Sequence, residues 1–152
     1  MYAKQDVIDV YVKMHVAADE CKWDDWKKAF LEEVDVDMSS ITGKPVERFK
    51  RDAWLESYWK AMTPKFQPIM KFMDNHVVEI NGDKATARCY VRVLHVIPGA
   101  PGGESLISHG IYTFGLVLVG KEWKIASTKT ELMYDAGNKG LRAIAAKMSA
   151  KP

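Results

Sequence analysis

The sequence predicts a single α+β domain in which helices come first and a meander of strands follows. Three observations carry this reading. Apolar residues recur every three to four positions at Val7, Val10, Tyr11, Met14 and Ala18, the period of a helix laid on a core. Beyond residue 68, strand-like runs are separated by Asn81-Gly82 and Gly120-Lys121, which are turn signals between antiparallel strands. Neither an internal repeat nor a linker interrupts the 152 residues, so helices followed by strands argue for α+β rather than an alternating parallel fold.

The elements follow in order. Residues 5–21 read as the first helix, and Trp23 to Phe30 as a shorter one with Trp23, Trp26 and Phe30 on one side. Val34 to Met38 alternates and reads as a short strand. Gly43-Lys44-Pro45 is a turn. Asp52 is a plausible N-cap for a third helix, with Trp54, Tyr58 and Met62 along its apolar side, and Pro64 ends it. Strands are expected at about 69–80, 85–97, 106–119 and 123–134, with a mobile loop at 98–103. Leu141, Ile144, Ala145 and Met148 suggest a final short helix. The domain spans 1–152, its core 5–138, and 139–152 forms a C-terminal helix or tail.

Composition narrows the classes of function. The net charge is +2 and the basic residues are scattered, which argues against nucleic acid or an anionic membrane as the main partner. No apolar run is long enough to span a bilayer, and the charged residues of the first segment are unlike a signal peptide. Cys21 and Cys89 lack metal-ligand spacing, so reduced thiols, a cytoplasmic location and no zinc or other metal are expected. Five Trp, six Tyr, five Phe and eight Met provide either a well-filled core or a cavity lined for an apolar ligand.

The chemistry-bearing candidates start with Asp19. It lies at the end of the first helix, about 100° around from Ala18, and can border the apolar stripe. A desolvated carboxylate there has a raised pKa and can move protons near neutral pH. His15 is one turn earlier and within reach of it. Asp35 and Asp37 read as solvated charges on one strand face. Strand alternation sets Cys89, Val91, Val93 and His95 on a common face, with His76 and His109 on the opposite strand faces as non-catalytic residues.

Several local motifs in this order resemble the SnoaL-like, scytalone dehydratase-like branch of the nuclear-transport-factor-2-like superfamily. They are Asp19 followed by Lys22-Trp23-Asp24, the run Asn75 to Asp83, Ala85-Thr86-Ala87-Arg88, Gly110-Ile111-Tyr112 and Trp123-Lys124-Ile125. The resemblance implies a cone-shaped, strongly curved, mixed or antiparallel sheet wrapped around a pocket that the N-terminal helices close. It places the catalytic aspartate at Asp19 and a catalytic histidine at His95, after Arg92-Val93-Leu94. The family's other histidine falls on Lys71, which either snorkels to solvent or turns inward as a base or oxyanion holder. A tyrosine before the aspartate becomes Ala18. Met38, Tyr112 and Phe114 replace more polar pocket residues, and Tyr58, Met62 and Val93 complete the expected wall beside His15. The Arg-x-Asp arrangement of the limonene-epoxide hydrolases is absent, since Tyr90 follows Arg88 at that spacing.

The expected function is therefore a cofactor-independent acid/base enzyme of dehydratase, cyclase or isomerase type. Its substrate would be a bulky apolar metabolite of polyketide or terpenoid kind, with catalytic residues Asp19, His95 and Lys71. The alternatives are a non-catalytic small-molecule binding or assembly domain and a hydrolase of the same superfamily. The partner expected beyond a small hydrophobic substrate is a second or third copy of the chain, a homodimer or homotrimer formed through the outer sheet face around Tyr90, Arg92 and Leu94.

Overall fold

The computed structural model describes residues 3–148. Helix α1 (Lys4–Asp19) buries Val7, Tyr11, Met14, His15, Ala17 and Ala18, the face that the 3.6-residue stripe marks. Its start is secured by Asp6, whose carboxylate accepts the Ala3 N–H at 2.8 Å. It ends because Cys21 turns left-handed, with φ 55°. Helix α2 (Trp23–Lys28) buries Trp26.

Strand β1 (Phe30–Asp37) starts four residues earlier than the alternation suggests, so Phe30 belongs to a strand and not to the preceding helix. Its inward residues Phe30, Val34 and Val36 break strict alternation, because the pairing slips between Phe30 and Asp35. Two elements carry no clear sequence signal, the turn α3 (Ser39–Thr42) and the strand β2 (Glu47–Lys50). Met38 accordingly stands before α3 rather than in a strand.

Helix α4 (Arg51–Trp54) runs without a break into a π-helical turn, Leu55–Trp59, then α5 (Lys60–Met62) and a 3-10 turn, Thr63–Lys65. Asp52 does not cap it. Lys50 occupies that position, and Asp52 pairs with Arg51 instead. The π turn inserts a residue into the helical repeat. Trp54 and Trp59, five apart, therefore share the buried side, while Tyr58 is 37% exposed. Trp26, Phe30, Trp54 and Trp59 meet there, with ring centroids 4.3–5.7 Å apart.

The strands β3 (Ile69–Asn81), β4 (Lys84–Val96), β5 (Ser105–Val119) and β6 (Glu122–Gly137) form an antiparallel meander. β1 joins β6 in parallel and β2 joins β1 antiparallel, giving one open sheet in the order β2-β1-β6-β5-β4-β3. The sheet is mixed, curved and unclosed, and α1 lies across its concave side. Bulges at Asp74/Val77, His109/Gly110 and Gly115/Leu116 bend it. Gly110 permits one of these bends: a Cβ there would meet the Glu131 carbonyl oxygen at 2.3 Å.

The first bulge also reverses strand parity. Ile69, Lys71 and Met73 point inward before it, His76 and Val78 after it. His76 therefore faces the helices rather than the outside, and its Nδ1 bonds the buried Tyr11 hydroxyl at 2.7 Å. The His109 ring lies tilted against that of Tyr134, with centroids 5.8 Å apart, and Tyr134 is 62% exposed. The 98–103 loop is tied down, since the Asn138 amide donates to the carbonyls of Pro101 and Gly103 at 3.0 and 2.7 Å. Helix α6 (Leu141–Lys147) packs Leu141 and Ala145 against Phe66, Ile97 and Leu106, covering one end of the curved sheet.

Candidate active site

Between the concave face of the sheet and the helices lies a cavity of about 150 Å³. Its floor comes from alternate residues of the central strands. Val91, Val93 and His95 project from β4 and Ser108, Gly110, Tyr112 and Phe114 from β5. The helical side supplies Met14 and His15 from α1, and Trp54, Tyr58, Trp59 and Met62 from the 51–65 segment; Met38 closes the β1 end.

Lys71 turns inward. It is directly opposite Val93 in the β3–β4 ladder, its side chain is only 5% exposed, and its ammonium meets the Asp19 carboxylate in a very short contact. Asp19 keeps 18% side-chain exposure. Among the described residues, those lining the cavity include Lys71 but not Asp19, so of the pair it is Lys71 that borders the cavity. Burial pushes the Asp19 carboxyl above its usual range, against the pull of Lys71. Burial likewise pushes the Lys71 amine down, against the pull of Asp19. Desolvation thus acts on both groups toward neutrality, and their mutual attraction opposes it. The charge also lies 5.9 Å from the centroid of the Trp59 ring, a contact that favours the ammonium.

His15 does not pair with Asp19, although the helix spacing allows it. Its ring lies stacked on Tyr112, with centroids 5.0 Å and planes 15° apart. The imidazole is 4% exposed, and burial, seconded by the Lys71 charge, holds its pKa well below the ordinary value. His95 contacts Phe66 edge-on at 4.8 Å, and its Nδ1 bonds the Leu106 carbonyl at 3.3 Å. A bond to a carbonyl requires Nδ1 to carry the proton. Burial, with Arg142 second, brings this histidine down to about 4, so near pH 7 it is neutral and its Nε2 accepts rather than donates. That bars it from holding an oxyanion.

Arg142 is one of two cavity residues that sequence reasoning missed, Trp59 being the other. From α6 it forks onto Asp135 through bonds of 2.9 and 3.1 Å, reaches the Ser108 hydroxyl, and lines the cavity. Its charge bears on His95, Tyr58 and Tyr112. Nothing in the short apolar pattern of residues 141–148 marks it. Trp59 was missed for a different reason, the frame shift of the π turn. Burial raises the pKa of Tyr58 and of Tyr112, so both hydroxyls keep their protons. No group of three or more His, Cys, Asp or Glu side chains able to hold a metal occurs among the described residues.

A family model described as a SnoaL-like domain matches residues 2–129. The chain belongs to the SnoaL-like family. Solved structures carry the same fold. The Kfla4162 protein of Kribbella flavida superposes with a TM-score of 0.82 at 21% identity, covering 95% of this chain and 96% of that one. A putative scytalone dehydratase of Novosphingobium aromaticivorans gives 0.71 at 15% identity, covering 88% and 85%. A hexachlorocyclohexane dehydrochlorinase of Novosphingobium barchaimii gives 0.71 at 14%, covering 90% of each chain. At these identities the likeness speaks for the nuclear-transport-factor-2-like fold alone. Among curated proteins none matches the sequence. No helix among the described residues is long and apolar enough to cross a membrane.

Proposed function

We propose that this SnoaL-like protein is a cofactor-independent acid/base enzyme of lyase or isomerase type, acting on a compact, mostly apolar ring metabolite such as a polyketide or terpenoid fragment. The observation that carries the reading is the Asp19–Lys71 pair set into the wall of an apolar cavity. A cavity near 150 Å³ suits a single six-membered ring, by analogy with engineered apolar cavities of about that size that bind benzene.

In the proposed step the neutral Lys71 amine takes a proton from a carbon beside a substrate carbonyl. The C–H electrons form a new C=C bond; either the carbonyl π electrons shift to oxygen, giving an enolate, or the β C–O bond breaks and the departing hydroxide takes the proton back from the Lys71 ammonium to leave as water. The ammonium so formed is stabilised by Asp19, a positioning residue that also sets how readily the amine loses its proton again. General base catalysis of this kind is worth typically about 10²–10⁴-fold. His95, through its Nε2 lone pair, orients a substrate hydroxyl as hydrogen-bond acceptor. The apolar wall keeps water from the transferred proton.

The family resemblance supports this reading, as do the printed descriptions of two structural neighbours, one a putative dehydratase and one a dehydrochlorinase. The test is proton exchange. Cyclohexanone and 3-hydroxycyclohexanone are incubated with protein in D₂O and followed by ¹H NMR. Wild type should accelerate loss of the α-protons or formation of the enone, and Lys71→Met should lose that acceleration. One observation favours a second reading, a ligand-binding domain: a Lys71 locked as an ammonium on Asp19 is no base. Tight ligand binding without any exchange in wild type would select that reading.

A further inference from the structure

Among the described residues, three that line the cavity, His15, Trp59 and His109, carry buried nitrogens with no hydrogen-bond partner, and the first two adjoin. Both ring nitrogens of His15 are buried and unbonded, and so is the Nε1–H of Trp59. The two rings are neighbours, with centroids 5.8 Å apart, and both residues line the cavity. His15 is 4% exposed and otherwise surrounded by aromatic carbon, stacked on Tyr112 and set at an angle to Phe114 at 6.0 Å.

As a packing element this histidine makes little sense. A phenylalanine would stack on Tyr112 equally well and would bury no unpaired nitrogen, and unpaired buried polar groups are rare in native proteins because their desolvation is uncompensated. Lys71, the cation whose charge bears on this ring, is engaged with Asp19. A neutral imidazole offers one donor and one acceptor. The matching group is one that both gives and takes a hydrogen bond, or a carbonyl that becomes an enol during reaction. The Trp59 indole adds a second donor.

We propose that His15 is a specificity-determining residue which hydrogen-bonds an oxygen substituent of the ligand, with the Trp59 Nε1–H as second donor. The cavity thereby selects hydroxylated or carbonyl-bearing six-membered rings over hydrocarbon or halogenated rings of the same shape. This rests on the reading that the cavity receives a ring ligand, and it narrows that ligand's chemistry. An apolar wall alone would prefer the unsubstituted ring, since an oxygenated one must shed its hydration to enter.

Phenol and toluene, near-identical in shape, are the probes. Each is titrated into wild type and into His15→Phe, with affinity read from protein amide shifts and the His15 ring nitrogens followed by long-range ¹H–¹⁵N correlation. Wild type should bind phenol at least about tenfold more tightly than toluene, the factor that the net gain of one to two hydrogen bonds supplies. Its His15 nitrogens should shift with phenol and stay in place with toluene. His15→Phe should reverse the preference and raise the melting temperature. Toluene binding as well as phenol in wild type, or unmoved His15 nitrogens, would overturn the role of His15 while leaving the Lys71 chemistry untouched. Binding of neither probe would overturn both this inference and the ring-ligand reading beneath it.

Discussion

Replacing Lys71 by methionine isolates what the buried pair contributes. The substitution keeps the length of the side chain and its packing against Val93 but leaves the Asp19 carboxylate, 18% exposed, without its cation. Removing one partner of a fully buried pair costs about 3–5 kcal/mol. Asp19 keeps some solvent and can take up a proton, so about 2–3 kcal/mol is expected at pH 7. For a chain of this length that corresponds to a melting temperature lower by about 4–12 °C. The pH dependence gives the cause away. Without Lys71 the folded-state pKa of Asp19 lies further above its unfolded value of 3.8. The protonated form then stabilises the fold, fully below pH 3.8, and that benefit is lost as pH rises through the folded pKa. The deficit of Lys71→Met should therefore shrink on acidification. Asp19→Asn should do the reverse. It strands an amine whose folded pKa is depressed below 10.5, so its deficit shrinks as pH rises toward that value. The double variant should be close to wild type at every pH. Urea unfolding followed by tryptophan fluorescence measures all four proteins. Single-variant costs under about 0.5 kcal/mol that do not vary with pH, the behaviour of a solvated pair, would refute the reasoning.

Three further outcomes follow from the same structure. His95, brought down to about 4 by burial, contributes stability present above its unfolded pKa of 6.5 and lost as pH falls toward 4. His95→Gln should therefore flatten the stability profile over that window by about 2 kcal/mol, as read by unfolding at pH 7 and pH 4.5, and an unchanged profile would show the ring to be solvated. Gly110→Ala should destabilise by about 2 kcal/mol or more, because the added carbon meets a backbone oxygen at 2.3 Å, whereas Gly115→Ala meets only the mobile Ser127 hydroxyl at 2.4 Å and should cost less; equal melting temperatures would contradict this. Phe72 and Tyr90, 48% and 52% exposed on the outer face, should make the protein at least dimeric by light scattering, and Phe72→Asp with Tyr90→Asp should yield monomer.

The frame of the fold was legible in the sequence because its signals are local. The α1 stripe, the Gly120-Lys121 turn and the alternation of β4 each depend on neighbours a few residues away. At the first hairpin the turn proper is Gly82-Asp83, since Asn81 still pairs with Lys84. What was hidden depends on departures from the repeat. The bulge around Asn75, with φ 56°, reverses parity and brings His76 inward. The π turn does the same along a helix, exchanging Trp59 for Tyr58 on the buried side. The site divides similarly. Alternation fixed the side on which Val93 and His95 lie. Whether Lys71 snorkels or turns inward hinges on meeting a carboxylate 52 positions away, a tertiary fact that no periodicity encodes. Arg142 enters the site only because α6 folds back across the open end of the sheet, and its apolar partners, rather than its charge, drive that docking.

The proposed chemistry requires Lys71 to be a desolvated amine held by Asp19. Its most direct test is the titration of the Lys71 side-chain nitrogen by ¹⁵N NMR in wild type and in Asp19→Asn, assigned through Lys71→Met. A midpoint below the ordinary 10.5 is expected in wild type, and a still lower one once the Asp19 charge is gone. A midpoint at or above 10.5 that does not move with Asp19→Asn would contradict it.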